Sequence, residues 1–231
     1  MTYIQAPADK RLVWYLAMEE YLAKQVEEEL FITWIVSPTV IFGRHQVMEA
    51  EVNVDFCRAN GIAMYRRKSG GGCVYADEGN LMMSMISPNK HSEVVFQQFL
   101  DKISDVLRHW GLPAVKSEHN DIMVEGKKVS GNACYALSTG TIVHGTMLVD
   151  VDLDMLQQAI TPSKEKLAKH GVKSVRQRVA NLARLVTNPQ LRTSTLVANR
   201  LSDALCLYQR ELTEQEIATI DRIEQSYLDP Q

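Results

Sequence analysis

Two short stretches hold the residues whose types and spacing could do chemistry. In the first, Arg66-Arg67-Lys68-Ser69-Gly70-Gly71-Gly72-Cys73-Val74-Tyr75, three cations run into three consecutive glycines. Glycines remove every Cβ from one face of a connection, so a ligand can lie on the backbone itself. The N–H groups so exposed can donate to an anion, and arginine adds fixed charge on forked donors. These residue types point to a phosphate or a carboxylate. The stretch is neither a Walker loop nor a dinucleotide fingerprint, because no Gly-Lys-Ser/Thr follows and no helix pattern opens directly after it. A surface turn with incidental charge is the competing reading. The arginine pair and the apolar runs on both sides, Ile62 to Tyr65 and Leu81 to Ile86, favour an anion site between two buried strands.

The second stretch runs from Asn120-Asp121 through a Glu125-Gly126 turn to Lys127-Lys128-Val129-Ser130-Gly131. It reads as a hairpin, Asp121 to Val124 and Lys127 to Tyr135. A lysine on a core strand beside glycines can neutralise charge where an oxyanion or phosphate develops. Strand alternation sends Lys127 and Lys128 to opposite faces, so one of them at most points into a site. Solvated strand-edge lysines are the ordinary alternative.

The surrounding pattern predicts the elements that must position these stretches. A helix is expected over about Asp9 to Glu29, with Leu12, Leu16, Leu22 and Val26 on its apolar stripe. Strands are expected at Leu30 to Val36, Thr39 to Phe42 and Thr141 to Val151. Asn53 caps a short helix that stops at Gly61, and Ser92 caps one that ends at Gly111. A short helix is expected from Leu153 to Ile160. Thr161 to Gly171 is lysine-rich and reads as a mobile loop or a loosely packed helix. Helices follow from Ser174 to about Leu185 and from Asn188-Pro189 to about Leu207. A capping box at Thr213 and Glu216 opens the last helix, which ends near Leu228.

At 231 residues and 45% apolar content, the chain is long enough for one substantial core. A net charge of −3 argues against non-specific nucleic-acid binding. No apolar run approaches the roughly 20 residues of a membrane helix, and the N-terminus does not resemble a signal peptide. Four cysteines, Cys57, Cys73, Cys134 and Cys206, lack metal-ligand spacing and read as free thiols of a cytoplasmic protein.

The two stretches occur in order with Ala17-Met18-Glu19-Glu20-Tyr21-Leu22, Pro38-Thr39-Val40-Ile41-Phe42-Gly43-Arg44, His144-Gly145-Thr146 and Ser174-Val175-Arg176-x-Arg178-Val179-x-Asn181-Leu182. That set resembles the lipoate–protein ligase family over roughly residues 14 to 185. The resemblance implies a mixed, largely antiparallel sheet flanked by helices, related to biotin-ligase catalytic domains. It implies a catalytic domain over residues 1–185 and a helical extension over 186–231 packed on it. The implied reaction condenses lipoate with ATP to lipoyl-adenylate, then passes the lipoyl group to a lysine of an acceptor. Acceptors would be lipoyl domains of 2-oxoacid dehydrogenase E2 subunits or the glycine-cleavage H protein.

Carried over, Lys128 is the catalytic lysine, bridging the lipoyl carbonyl and the α-phosphate. Arg67, Ser69, Gly70, Gly71, Gly72, Cys73, Val74 and Tyr75, with Asn120 and Asp121, hold the nucleotide and the adenylate. Asp121 takes Mg²⁺. Trp34, Gly71, Gly131, His144 and Gly145 form the lipoyl pocket. Two departures stand out. Ala76 replaces a histidine common in the family, and the chain stops short of the further C-terminal domain of the larger ligases. The second departure raises a minimal ligase, a ligase served by a separate accessory protein, or a transferase. A related acyltransferase would need a cysteine nucleophile, and the loop Lys116-Ser117-Glu118-His119 before the hairpin has none. Cys73 and Cys134 read as packing residues. A non-catalytic lipoate-binding protein is the reading from another class.

Overall fold

The computed structural model describes residues 1–161 and 175–228. The main sheet has eight strands in the order β11-β1-β2-β6-β10-β9-β8-β7. They are β1 (Thr2–Gln5), β2 (Leu30–Trp34), β6 (Asn80–Ser87), β7 (Ala114–Lys116), β8 (Asp121–Val124), β9 (Lys127–Ala136), β10 (Thr141–Leu148) and β11 (Tyr208–Glu211). The strands β1, β2 and β11 pair in parallel; the remaining pairs of this sheet are antiparallel. A second sheet, β4-β3-β5, joins Thr39–Phe42 (β3), Ala63–Arg66 (β4) and Val74–Ala76 (β5).

Every residue of β6 is buried, because both faces of the sheet are covered. Period-two alternation divides its neighbours between two cores. Phe31, Leu81, Met83, Met85 and Val143 face helix α4 (Ser92–His109) and the helix Ser194–Leu205. Ile32, Trp34, Met82, Ile86 and Ile142 face helix α1 (Leu12–Lys24). Helix α1 is itself buried almost all round, since the C-terminal helix Glu214–Leu228 packs on its outer side. That last helix is fastened by Trp14 Nε1 donating to Asp221 at 2.6 Å and by an Arg11–Glu224 ion pair at 2.8 Å.

Several expectations hold and several shift. The turn Glu125-Gly126 has φ of 51° and 74°, the doubly positive pair that lets a two-residue hairpin follow the strand twist. Asn53 caps its helix, accepting from the Phe56 N–H, and Thr213 and Glu216 form their capping box. The first helix is shorter than Asp9 to Glu29. Ser92 does not cap its helix but is its first residue, following His91 with no side-chain cap, and the helix ends at His109, where Trp110 and Gly111 close it.

The final third differs most. Ser174 and the lysine-rich run lie outside the described residues. The helix expected to reach Leu185 stops at Arg178. Val179 then forms a parallel bridge to Lys128, and Leu182–Arg184 makes a 3-10 turn. Asn188-Pro189 opens another 3-10 turn, and the helix starts only at Ser194, capped by Thr193. Strands β1 and β11 were not legible in the sequence, and β11 brings residues after 186 into the main sheet. The first of the two strands flanking the glycines, β4, is half-buried at the edge of the small sheet rather than a core strand. The intervening β5 was also missed.

Because β11 and the last helix complete the sheet and cover α1, the whole chain should unfold in one step. Ile220, with no exposed surface, anchors that helix. Ile220→Ala should cost about 2–4 kcal/mol in denaturant unfolding while keeping a single transition. Two separate transitions in the wild-type chain would contradict this integration.

Candidate active site

The two chemical stretches meet in one cavity of about 470 Å³ at the junction of the two sheets. One end is apolar, lined by Leu16, Trp34, Ile41, Val74 and Met82. The other end carries Asn120, Asp121, Lys128 and Arg178. Arg67, Gly71, Gly72, Cys73, Gly131, His144 and Gly145 form the walls between them. An apolar pocket with a few convergent polar groups is the ordinary form of a small-molecule site. A second cleft, about 1010 Å³, lies on the other side of Arg67 between Arg44 and Tyr227. It is larger, but Lys128, Asp121 and the glycines do not line it, so the smaller cavity is the better candidate.

Asp121 organises the polar end. Its carboxylate is 5% exposed, and each oxygen meets one cation. Lys128 Nζ lies 2.9 Å from Oδ1, and Arg178 Nη2 donates to Oδ2 at 2.5 Å. A β-bulge between Ile122 and Met123 breaks the pairing opposite Lys128 to Ser130, re-aiming the strand beside the cavity. Lys127 is exposed, while Lys128 is half-buried with its ammonium at the carboxylate. Gly131 makes room for that ammonium: a Cβ there would lie 2.5 Å from Lys128 Nζ. Asn120 holds φ at 64°, a left-handed conformation asparagine tolerates better than most residues, and its carbonyl accepts from Asn132 Nδ2.

The glycine loop is shaped from within. Arg67 is 6% exposed and spends its guanidinium on carbonyls of its own loop. It donates to Gly70 O and Gly72 O at 2.7 Å, to Ile41 O at 3.3 Å, and through Nε to Ser69 Oγ at 3.1 Å. Burial lowers its pKa to about 10, so it stays charged at neutral pH. With the carbonyls of Gly70 and Gly72 held inward, the N–H groups of Gly70, Gly71 and Gly72 donate to no protein acceptor among the described residues. Gly71 has φ of 92°, so a side chain there would strain the backbone and bring a Cβ within 2.9 Å of Arg67 Nη2.

The remaining expected residues divide by role. His144 lines the cavity with both ring nitrogens engaged, Nδ1 3.0 Å from Glu19 Oε2 and Nε2 2.8 Å from Ser69 Oγ. Ser69 is buried behind the loop in this relay. Trp34 stacks on Tyr15 at 5.3 Å, and its indole N–H, buried, has no hydrogen-bond partner among the described residues. Tyr75 is buried in the small-sheet core and is not among the residues lining the cavity. Gly145 stands against Asn132, whose Oδ1 would lie 1.9 Å from a Cβ. Burial raises the Cys134 thiol, which disfavours the thiolate a transferase would need.

Arg178 was missed as a site residue, although its motif was visible. It reaches Asp121 because Val179 bridges to Lys128 and the Ala180 N–H donates to Lys128 O at 3.0 Å. Glu19 and Ser84 were also missed. Their signal was a carboxylate at an apolar-stripe position of the helix and a serine inside the apolar run Leu81 to Ile86.

The two sheets of this α/β domain thus bring a glycine loop, a buried lysine–carboxylate–arginine cluster and an apolar pocket into one cavity. The chain belongs to the lipoyl protein ligase A/B catalytic domain family, whose model matches residues 13–205. It is 34% identical over 217 residues to the lipoate–protein ligase of Bacillus subtilis, covering 90% of this chain and 65% of that protein. A bi-partite lipoate protein ligase from Thermoplasma acidophilum, studied with its E2 lipoyl domain, is similar with a TM-score of 0.83 at 27% identity, covering 99% of this chain and 93% of that one. A lipoate–protein ligase A bound with ATP gives a TM-score of 0.83 at 25% identity, covering 99% and 96%. The chain spans between about half and two thirds of the length of the first curated relatives it matches.

Gly131→Ala tests the geometry of the cluster directly. The added methyl should push the Lys128 ammonium off Asp121. A crystal structure of the variant should show that ion pair broken, and an unchanged 2.9 Å pair would contradict the close packing seen here.

Proposed function

We propose that the chain activates lipoate with ATP and transfers the lipoyl group to a lysine of a lipoyl domain. The observation that carries this reading is the joining of an apolar tail pocket, an N–H cradle and a buried Lys128–Asp121–Arg178 cluster in one cavity. The lipoyl tail lies between Leu16, Trp34, Ile41 and Met82. Its carboxylate attacks the α-phosphorus of ATP, the bond to pyrophosphate breaks, and a mixed anhydride forms. The acceptor ε-amine then attacks the acyl carbonyl, AMP leaves, and the amine loses its proton.

Lys128 supplies charge in both steps, first to the phosphoryl oxygens and then to the carbonyl oxygen. Preorganised charge of this kind stabilises a transition state without reorganisation at the moment of reaction. Arg178 takes the same role toward the phosphates from the opposite side of Asp121. The N–H groups of Gly70, Gly71 and Gly72 hold the adenylate, and Arg67 keeps them in place. Asn120 faces the phosphates with them.

Asp121 is the single carboxylate among the cavity's described lining residues. Magnesium commonly uses one carboxylate and substrate phosphates, so the donor set fits an ion brought in with ATP. Such an ion would neutralise phosphate charge, in competition with Lys128 and Arg178 for the carboxylate. The acceptor is a lipoyl domain, as for the Thermoplasma ligase, or the chemically similar glycine-cleavage H protein. An accessory polypeptide for the adenylation step is part of this proposal, supported by the bi-partite description of that same ligase.

Lipoate-dependent ATP–pyrophosphate exchange tests the reading, with and without added accessory protein. Lys128→Ala should lower exchange at least a hundredfold, about 3 kcal/mol, and Lys127→Ala should leave it near wild type. Transfer from synthetic lipoyl-adenylate should proceed in the chain alone and also require Lys128. Full activity in Lys128→Ala, or exchange without lipoate, would overturn the assignment.

A further inference from the structure

Two adjacent carboxylates of α1 hold two adjacent residues of the glycine loop. Glu19 and Glu20 are both buried, a state charged residues rarely adopt unless paired. Glu19 accepts from the Ser84 hydroxyl through Oε1 and meets His144 Nδ1 through Oε2; His144 then reaches Ser69 Oγ. Glu20 follows one residue later, about 100° further round the helix. Its Oε2 accepts from Lys68 Nζ at 2.7 Å and from the Tyr227 hydroxyl at 3.1 Å, and its Oε1 accepts from Lys24 at 2.8 Å. Lys68 Nζ also sits 4.3 Å from the centroid of the Tyr227 ring. Lys68 is thus gripped directly and Ser69 through a histidine, immediately before the three glycines.

Neither glutamate lines the cavity. Arg67 folds the loop on itself, but among the described residues its hydrogen bonds reach only Ile41, Ser69, Gly70 and Gly72. The tie from the loop to the central helix runs through the two carboxylates. Tyr227 extends that tie to the C-terminal helix.

We propose that Glu19 and Glu20 are positioning residues that fix the glycine cradle against α1, with Tyr227 of the C-terminal helix closing the clasp. The proposal rests on the adenylate-binding reading of the cradle for its effect on affinity, and on geometry alone for its effect on the loop. Backbone donors bind an anion well only when their positions are set beforehand. A cradle freed from α1 must be ordered by its ligand, and that ordering opposes binding.

The test uses hydrogen exchange of the free protein over residues 67–73, then binding of a non-hydrolysable lipoyl-adenylate analogue. The variants are Glu20→Gln and Lys68→Met, with Arg11→Gln as the comparison. Arg11 pairs with Glu224 across the same pair of helices, away from the loop. Glu20→Gln and Lys68→Met should each speed exchange of the loop and weaken the analogue about tenfold. Arg11→Gln should lower thermal stability without either change. Lys68→Met alters a partly exposed side chain, so it decides the matter if Glu20→Gln does not fold. Loop exchange in both variants no faster than in Arg11→Gln would overturn the proposal, and this result is read without any ligand. Failure of the wild-type protein to bind the analogue would instead overturn the functional reading.

Discussion

The site depends on one buried carboxylate placed between two cations. Asp121 is desolvated, and a desolvated carboxylate persists as an ion only when its lone pairs are met. Lys128 meets one oxygen from the next strand, and Arg178 meets the other from a segment more than 50 residues further on. Removing either partner leaves buried charge unpaired, so the three side chains fix one another. They also fix the backbone. The bulge in the hairpin, the Val179 bridge to Lys128 and the space at Gly131 all serve to bring the ammonium to Asp121.

The glycine cradle answers the complementary problem of holding donors outward without a ligand present. Arg67 contributes by drawing the carbonyls of Gly70 and Gly72 inward, and in the trans Gly70–Gly71 peptide this points the Gly71 N–H the other way. An arginine that the sequence alone assigns to the nucleotide is therefore first a scaffold for the loop. Its charge still contributes to the cavity wall, where it adds to the field of Lys128 and Arg178. Three cations against one carboxylate make that wall suited to an anion more highly charged than a simple carboxylate.

Much of this was legible in the sequence, because the functional residues are clustered in short stretches with special backbone needs. The triple glycine, the Glu125-Gly126 turn and the Lys127-Lys128 pair each have a local cause, and local causes can be read from neighbours. The misses have non-local causes. Strands β1 and β11 are four residues each and exist because they pair with one another and with β2. Arg178 lies in what reads as a longer helix, and only the docking of Val179 on Lys128 ends that helix and aims the arginine. His144 and Ser69 were placed in the site, but their relay to Glu19 needs α1 and β10 packed face to face. For Tyr75 the motif suggests contact with a ligand, while its side chain packs in the small-sheet core.

In the proposed function, one cavity holds both the acyl tail and the adenylate phosphate. A crystal structure with a non-hydrolysable lipoyl-adenylate analogue tests it most directly, because anomalous scattering from the two dithiolane sulfurs locates the tail independently of the rest. Those sulfurs should lie between Leu16, Trp34 and Met82, with the phosphate mimic within hydrogen-bond reach of Lys128 Nζ and the glycine N–H groups. The sulfurs or the nucleotide lodged instead in the second cleft between Arg44 and Tyr227, with the smaller cavity empty, would contradict this placement.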